Sequence, residues 1–224
     1  MKTNSLVSIT ASLGFIALSI QCYLSVTRKL AQGFSLLYAT NHFFSFFTIL
    51  TNLAVAVLLA SYVLFPDSKL TRWFKKTTNS AAIGVYILIV GIIYYALLLK
   101  SDNQYGLGYV ATHILHGYIP LAYLALWFFK FRNGDLRFKD SVKWLLFPVS
   151  YFVYLLIRGA FLGVYPYFFV NVAQYGYSQV LLFSLGILTV FLLIGSLLVM
   201  LDQKIVLSNK TKIKLQNNKQ NNEE

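Results

Sequence analysis

Six apolar stretches, separated by polar and basic residues, dominate the pattern along the chain. Each is about 20 residues long, which is enough for a helix to cross a hydrocarbon core about 30 Å thick. The first stretch follows Lys2 and has no small-x-small cleavage pattern behind it, so we predict a retained helix and not a removed signal peptide. The predicted spans are residues 5–25, 43–64, 80–99, 108–129, 143–163 and 178–200.

This pattern predicts an all-α fold, a polytopic membrane protein whose residues 1–202 form one domain of six transmembrane helices. The segment 26–42 is semi-polar and is predicted to lie at the membrane interface. Residues 203–224 are rich in Lys, Asn and Gln and have no apolar stripe, so they predict a disordered, basic cytoplasmic tail. The sequence has no internal repeat and no linker long enough to join a second domain.

The basic residues predict the orientation of this bundle. With a cytoplasmic N-terminus, fifteen of the 19 Lys and Arg residues lie on the cytoplasmic side. Arg28, Lys29 and Lys100 lie on the opposite side, and Arg158 lies inside the fifth span. Such a bias follows the positive-inside rule, so both termini are predicted to be cytoplasmic. Because topology accounts for the net charge of +12, we predict no nucleic-acid partner.

Composition narrows the function classes further. Hydrophobic residues make up 58% of the chain and charged residues 12%, whereas a soluble domain carries about 25% charged residues. We expect a multi-pass protein of the bacterial inner membrane whose partners are membrane lipids, with its oligomeric partner left open. The single cysteine, Cys22, excludes an internal disulfide and a cysteine-rich metal site. No Gly-rich phosphate loop follows a strand, so we predict no nucleotide and no other cofactor.

Nearly every unusual polar side chain falls in the outer third of the predicted bundle. At 1.5 Å per residue, Thr48 lies about 8 Å below the outer end of the second span, and His116 about 12 Å below that of the fourth. Ionisable groups at such depths are costly, which makes them functional candidates. No Asp or Glu lies inside a predicted span, so a transporter that needs an intramembrane carboxylate is disfavoured. The pocket candidates are Thr48, Asn52, His113, His116, Arg158 and Asn171.

A threonine hydroxyl and an imidazole are a nucleophile and a general base, because the imidazole takes the hydroxyl proton as the oxygen attacks an acyl carbon. No carboxylate is present in the spans to orient the imidazole. Asn52, a tyrosine or a backbone carbonyl would then have to fix its tautomer. Arg158 or Asn171 is placed to stabilise an oxyanion or to hold the carboxylate of an amphiphilic substrate.

Each candidate also has a structural interpretation. Thr48 is able to bond back to a helix carbonyl, and Arg158 to reach the outer headgroups. His113 competes with His116 for the role of base, or either one hydrogen-bonds a neighbouring helix. His42, His113 and His116 together would be a metal or haem site. Interfacial aromatic belts are predicted for Tyr165, Tyr167, Tyr175 and Tyr177 at one face and for Trp127 and Trp144 at the other.

Several segments carry a resemblance to a known family: 46–52 (FFTILTN), 116–120 (HGYIP), 158–159 (RG), 165–168 (YPYF) and 176–177 (GY). They resemble the bacterial Pr-six-Pr family of integral membrane proteins. That family is distantly similar to the androgen-induced and androgen-dependent six-helix threonine hydrolases, which cleave fatty acid esters of hydroxy fatty acids. The resemblance implies that Thr48 is the nucleophile and His116 its histidine partner, with Thr51 as a second candidate in the same motif.

Our leading hypothesis is therefore an intramembrane threonine hydrolase that acts on lipid or fatty-acyl esters from a polar pocket in the outer leaflet. Thr48 is the nucleophile and His116 the general base. The alternative is a non-catalytic membrane protein that binds or transports a lipid or a small amphiphile. Substrate-binding or supporting roles fall to Asn52, His113, Arg158 and Asn171.

Overall fold

The computed structural model describes residues 2–220, with side chains described from residue 4 to residue 204. In this part of the chain every regular element is a helix, which confirms the all-α fold class. Six helices are long and apolar enough to cross a membrane, and the chain has the architecture of a multi-pass membrane protein. They are Asn4–Ala31, Phe47–Leu64, Thr77–Ser101, Gly106–Phe131, Phe138–Leu162 and Val172–Lys204.

Ten α-helices build these spans and their connections. Tighter or wider helical turns lie between some of them: π-helical turns at Tyr94–Leu98, Ile114–Tyr118 and Trp127–Phe131, and 3₁₀ turns at Leu99–Ser101 and Phe168–Val170. Residues 221–224 and the side chains beyond residue 204 lie outside the described residues, whereas the backbone of residues 203–220, in the predicted tail, is the helical end of α10. The α-helices are α1 (Lys2–Ala31), α2 (Leu36–Phe44), α3 (Phe47–Leu64), α4 (Lys69–Lys75), α5 (Thr77–Ile93), α6 (Gly106–His113), α7 (Ile119–Leu126), α8 (Phe138–Trp144), α9 (Leu146–Leu162) and α10 (Val172–Gln220).

The second span begins at Phe47, four residues later than the apolar pattern predicts. Helix α2 ends at Phe44. The hydroxyl of the following Ser45 donates to the carbonyl of His42 at 2.7 Å, and Phe46 is extended. The Tyr151 hydroxyl donates to the Ser45 carbonyl at 2.7 Å, and the Phe47 N–H donates to Tyr151 at 3.0 Å. Because a distant tyrosine satisfies the polar groups of this break, the chain restarts as α3 with Thr48 in its first turn.

Helix α5 lies near the centre of the bundle, where it packs against α3, α7 and α10, while α1 packs along α3 and α6. Helices in a membrane associate through close van der Waals packing, which small residues permit. Gly91 on α5 is such a contact, because a Cβ added there would lie 2.8 Å from the carbonyl oxygen of His116. The backbone of α5 therefore presses on the π-helical turn Ile114–Tyr118.

The predicted aromatic belt at the inner face is wrong for both tryptophans. Trp127 and Trp144 are buried, and the Trp144 indole N–H donates to Thr78 at 3.2 Å. Both lie where the fourth and fifth spans pack into the main core, so neighbouring helices cover the rings that the sequence pattern placed against lipid. At the other face Tyr177 is exposed, whereas Tyr167 turns into the bundle.

Candidate active site

Thr48 and His116 meet at the end of the bundle where α1 ends and α3 begins. The distance from Thr48 Oγ1 to His116 Nε2 is 3.4 Å. Catalytic hydrogen bonds are often this long without substrate and shorten when it binds. His116 Nδ1 lies 2.8 Å from the carbonyl oxygen of Thr112. Because a carbonyl only accepts, Nδ1 carries the proton and the lone pair of Nε2 faces the threonine hydroxyl. The Thr112 carbonyl therefore fixes the tautomer that a general base needs.

A local change in helix geometry holds His116 in this position. The π-helical turn Ile114–Tyr118 contains it, and the Ile119 N–H bonds to the Ile114 carbonyl five residues back. Pro120 follows and has no N–H, so the carbonyl of His116 lacks its usual helical donor. Wider turns of this kind are frequent at functional sites because they redirect one side chain without ending the helix.

Thr51, the second candidate nucleophile, forms its side-chain hydrogen bonds within its own helix. Thr51 Oγ1 donates to the carbonyl of Phe47 at 2.8 Å, and the side chain is buried. The Asn52 amide donates to the Thr48 carbonyl at 2.9 Å and to the Leu115 carbonyl at 3.2 Å. Asn52 therefore joins the first turn of α3 to the π-helical turn of the fourth span. Its own amide oxygen is buried and has no hydrogen-bond partner among the described residues.

His113 and His116 both contact the Tyr94 ring, but their hydrogen-bond partners differ. The His113 ring lies 4.0 Å from that of Tyr109, and its Nδ1 lies 3.0 Å from the Tyr109 carbonyl. This geometry distinguishes the two histidines, since only the His116 ring is directed at Thr48. In the described part of the chain, no group of three or more His, Cys, Asp or Glu side chains is arranged to hold a metal ion.

His42 lies near the site but not in the pair. Burial, with the positive charges of Lys29 and Arg158, lowers the pKa of His42 to about 4. The imidazole is therefore neutral at physiological pH. Its ring stacks on Tyr38 and packs edge-on against Phe46, which fixes α2 against the break before α3.

Arg158 and Asn171 form hydrogen bonds at the two ends of the segment 163–171, which connects α9 to α10. Arg158 is buried and donates to the Val164 carbonyl at 3.1 Å. Asn171 accepts from the Gln174 N–H at 3.3 Å and so caps the start of α10. Both residues lie outside the lining of the two cavities that meet at Thr48. Their observed bonds shape the loop that carries Tyr167.

Two cavities of opposite character share Thr48. One is apolar, with a volume of about 90 Å³, and extends among Phe47, Ile93, Phe152, Leu155 and Phe191. The other is a polar vestibule of about 370 Å³. Thr48, Leu98 and Tyr167 line both, so Thr48 lies at their junction. The polar side chains of the vestibule include Gln21, Arg28, Lys29, His42, Asp102 and His116.

Sequence reasoning missed a carboxylate that belongs to this vestibule. The Tyr94 ring stacks on His116 with 4.1 Å between centroids, and its hydroxyl donates to Asp102 at 2.8 Å. The second oxygen of Asp102 accepts from the Gln104 N–H at 3.1 Å. Asp102 follows the third span directly, on the side where the fourth span begins. The signal that points to it in the sequence is an acid in the short turn between the third and fourth spans, at the end of the bundle where His116 lies.

No family model, curated protein or solved structure matches this chain. The candidate site therefore stands on its own geometry.

Proposed function

We propose that this protein is an intramembrane threonine hydrolase that cleaves lipid or fatty-acyl esters. One observation carries the proposal. Thr48 Oγ1 faces the unprotonated nitrogen of His116, at the junction of an apolar cavity and a polar vestibule. A nucleophile paired with an oriented base is the arrangement that covalent acyl transfer requires. The resemblance described above implies the same two residues.

The reaction proceeds in two halves. Thr48 Oγ1 bonds to the acyl carbon while His116 Nε2 takes the hydroxyl proton, and the carbonyl electron pair moves onto its oxygen. The intermediate collapses, the bond to the alcohol oxygen breaks, and His116 returns the proton to the leaving alcohol. Water then attacks the acyl-threonine, again with His116 as base, and releases the fatty acid and the free Thr48 hydroxyl. The sum is ester plus water to acid plus alcohol.

The two cavities suggest how the substrate lies. The walls of the apolar cavity are aliphatic and aromatic side chains, which suit the part of the acyl chain next to the ester. The vestibule fits the alcohol portion, which carries polar groups. An ester placed this way puts its carbonyl carbon beside Thr48. The substrate class is therefore an amphiphile whose reactive bond lies at the boundary between its chain and its head.

The setting of this activity is also a proposal. The excess of basic residues on one side favours a cytoplasmic location for both termini, which places the Thr48 end of the bundle in the outer leaflet. We propose the bacterial inner membrane as the location and membrane lipids as the partners.

The test is covalent labelling and turnover in detergent. Purified wild type is treated with a fluorophosphonate probe, and hydrolysis of p-nitrophenyl acyl esters is followed in parallel. We expect labelling and turnover to be lost in Thr48→Ala and His116→Ala. Thr51→Ala is the matched control, because its hydroxyl already bonds within α3, and it should keep both activities. No labelling and no turnover in a well-folded wild type would overturn the proposal, and saturable ligand binding that survives Thr48→Ala would favour a binding or transport protein.

A further inference from the structure

Two tyrosine hydroxyls converge on the N-terminus of α3, next to the proposed nucleophile. The Phe47 N–H donates to Tyr151 at 3.0 Å and to Tyr167 at 3.0 Å. The Tyr151 proton goes to the Ser45 carbonyl at 2.7 Å. In the described part of the chain no carbonyl oxygen accepts the proton of Tyr167. Both phenol oxygens thus accept the same Phe47 N–H, but only the Tyr151 hydroxyl donates its proton to a backbone carbonyl.

Tyr167 is also the phenol that reaches the reacting groups. It lines both the apolar cavity and the vestibule together with Thr48, whereas Tyr151 lines only the apolar cavity. Burial raises the pKa of Tyr167, and hydrogen bonds with the side chains of Thr48 and Tyr151 and with backbone groups of α3 oppose that effect. The net rise keeps the phenol protonated, so that it is a hydrogen-bond donor at the junction where an ester carbonyl would lie.

We propose that Tyr167 is a catalytic residue whose hydroxyl donates to the carbonyl oxygen of the substrate and stabilises the oxyanion. This rests on the proposed function. When Thr48 Oγ1 bonds to the acyl carbon, the carbonyl pair moves onto oxygen and the Tyr167 hydrogen bond strengthens. The Tyr167 proton is not transferred, since the Thr48 proton goes to His116. The Phe47 N–H, bound to the phenol oxygen, polarises the O–H and makes it a better donor.

This assignment fits the local backbone. Many hydrolases stabilise the oxyanion with free backbone N–H groups, often at the N-terminus of a helix. Here Thr48 lies in the first turn of α3, but the neighbouring Phe47 N–H is already occupied by the two phenols. The Phe47 N–H at the positive end of the helix therefore does not donate to the oxyanion directly. It donates to the Tyr167 hydroxyl, and this hydroxyl donates to the oxyanion from a position nearer the vestibule.

Tyr167→Phe and Tyr151→Phe are a matched pair of variants. Each removes one of the two hydroxyls that accept the Phe47 N–H and leaves the other in place. We expect Tyr167→Phe to lower kcat by about 10²–10³-fold with KM nearly unchanged, as when one oxyanion donor is removed. Tyr151→Phe keeps its ring in the apolar cavity and loses the bond to the Ser45 carbonyl, so we expect a clearly smaller loss of kcat than in Tyr167→Phe. Equal losses in the two variants, or retained kcat in Tyr167→Phe, would overturn the inference and leave both phenols as caps of α3.

A second measurement covers the case in which Tyr167→Phe does not fold. Site-specific replacement of Tyr167 by 3,5-difluorotyrosine keeps the ring and hydroxyl and makes the phenol more acidic. A phenolate cannot donate, so kcat should fall at alkaline pH in this variant and not in the same replacement at Tyr151. Identical pH profiles would refute the inference. Wild-type turnover that depends on Thr48 keeps the proposed function in place whichever result is found, whereas no wild-type turnover or labelling refutes both.

Discussion

Gly91→Ala tests the contact that supports the π-helical turn around His116. A Cβ at this position would lie 2.8 Å from the His116 carbonyl oxygen, and ordinary carbon–oxygen contacts lie at about 3.3–3.6 Å. The turn must therefore move by about 0.5 Å, because the atom it meets belongs to the backbone and has no rotamer to change. Overpacking of this kind costs about 1–3 kcal/mol.

Gly84→Ala on the same helix is the control. A Cβ there would meet the Tyr123 ring at 3.5 Å, an ordinary contact. Both variants gain the helix preference of alanine over glycine, about 1 kcal/mol, so the difference between them isolates the clash. We expect Gly91→Ala to be less stable than Gly84→Ala by about 1–3 kcal/mol.

The assay is reversible unfolding in mixed detergent and SDS micelles, with turnover measured on the folded fraction. A displacement of about 1 Å costs about 10²-fold in rate, so a shift of about half that size should lower kcat roughly tenfold in Gly91→Ala. Equal stability of the two variants would refute the reasoning about this contact. The stability result holds whether or not the protein is an enzyme.

Three further predictions follow from single contacts. The pKa of about 4 for His42 lies below its unfolded value, so the unfolded state binds the proton first as pH falls. The free energy of unfolding should therefore decrease as pH drops from about 6.5 to about 4. Thermal melts of wild type should show a melting temperature that falls over this range, and melts of His42→Phe should not. Asp202 accepts the N–H groups of Gly134 and Leu136, both at 3.0 Å, and Asp202→Asn, which keeps one acceptor, should cost about 1–3 kcal/mol in detergent unfolding. A Cβ at Gly159 would overlap the Tyr165 ring, so Gly159→Ala should destabilise the fold. Added Tyr165→Ala should restore part of the lost stability, whereas a double variant no more stable than Gly159→Ala would contradict that contact.

The sequence predicts the number of spans because each one must supply a long apolar run, whatever its neighbours are. It does not predict where a helix breaks when distant residues satisfy the break. The interruption between α2 and α3 depends on Tyr151, about a hundred positions away, and no residue at Ser45 or Phe46 forces it. The apolar pattern consequently started this helix at Phe43, and Thr48 was placed deeper than the first turn where it lies.

Depth alone brings Thr48 and His116 to the same end of the bundle, but it does not separate them from Thr51 and His113. Their immediate partners could not be predicted. Tyr167 follows the fifth span, and by position an aromatic residue there is indistinguishable from one in an interfacial belt. Only the fold shows that its hydroxyl turns back to the N-terminus of α3. Asp102 could not be assigned to the site for a different reason, because it lies just past the end of a span, where an acid has no cost of burial in hydrocarbon to mark it as functional.

The absence of a carboxylate beside His116 follows from where the site lies. An ionised acid inside the hydrocarbon region is costly, whereas a backbone carbonyl is neutral and is already present in every turn. The carbonyl of Thr112 orients the imidazole in place of an acid. Asp102 lies past the end of the third span and reaches His116 only through the stacked ring of Tyr94. Its charge remains in the polar vestibule, separated from the imidazole by the stacked ring of Tyr94. The proposed nucleophile and its proposed base are thus held by neutral groups, which is the combination that a membrane interior tolerates.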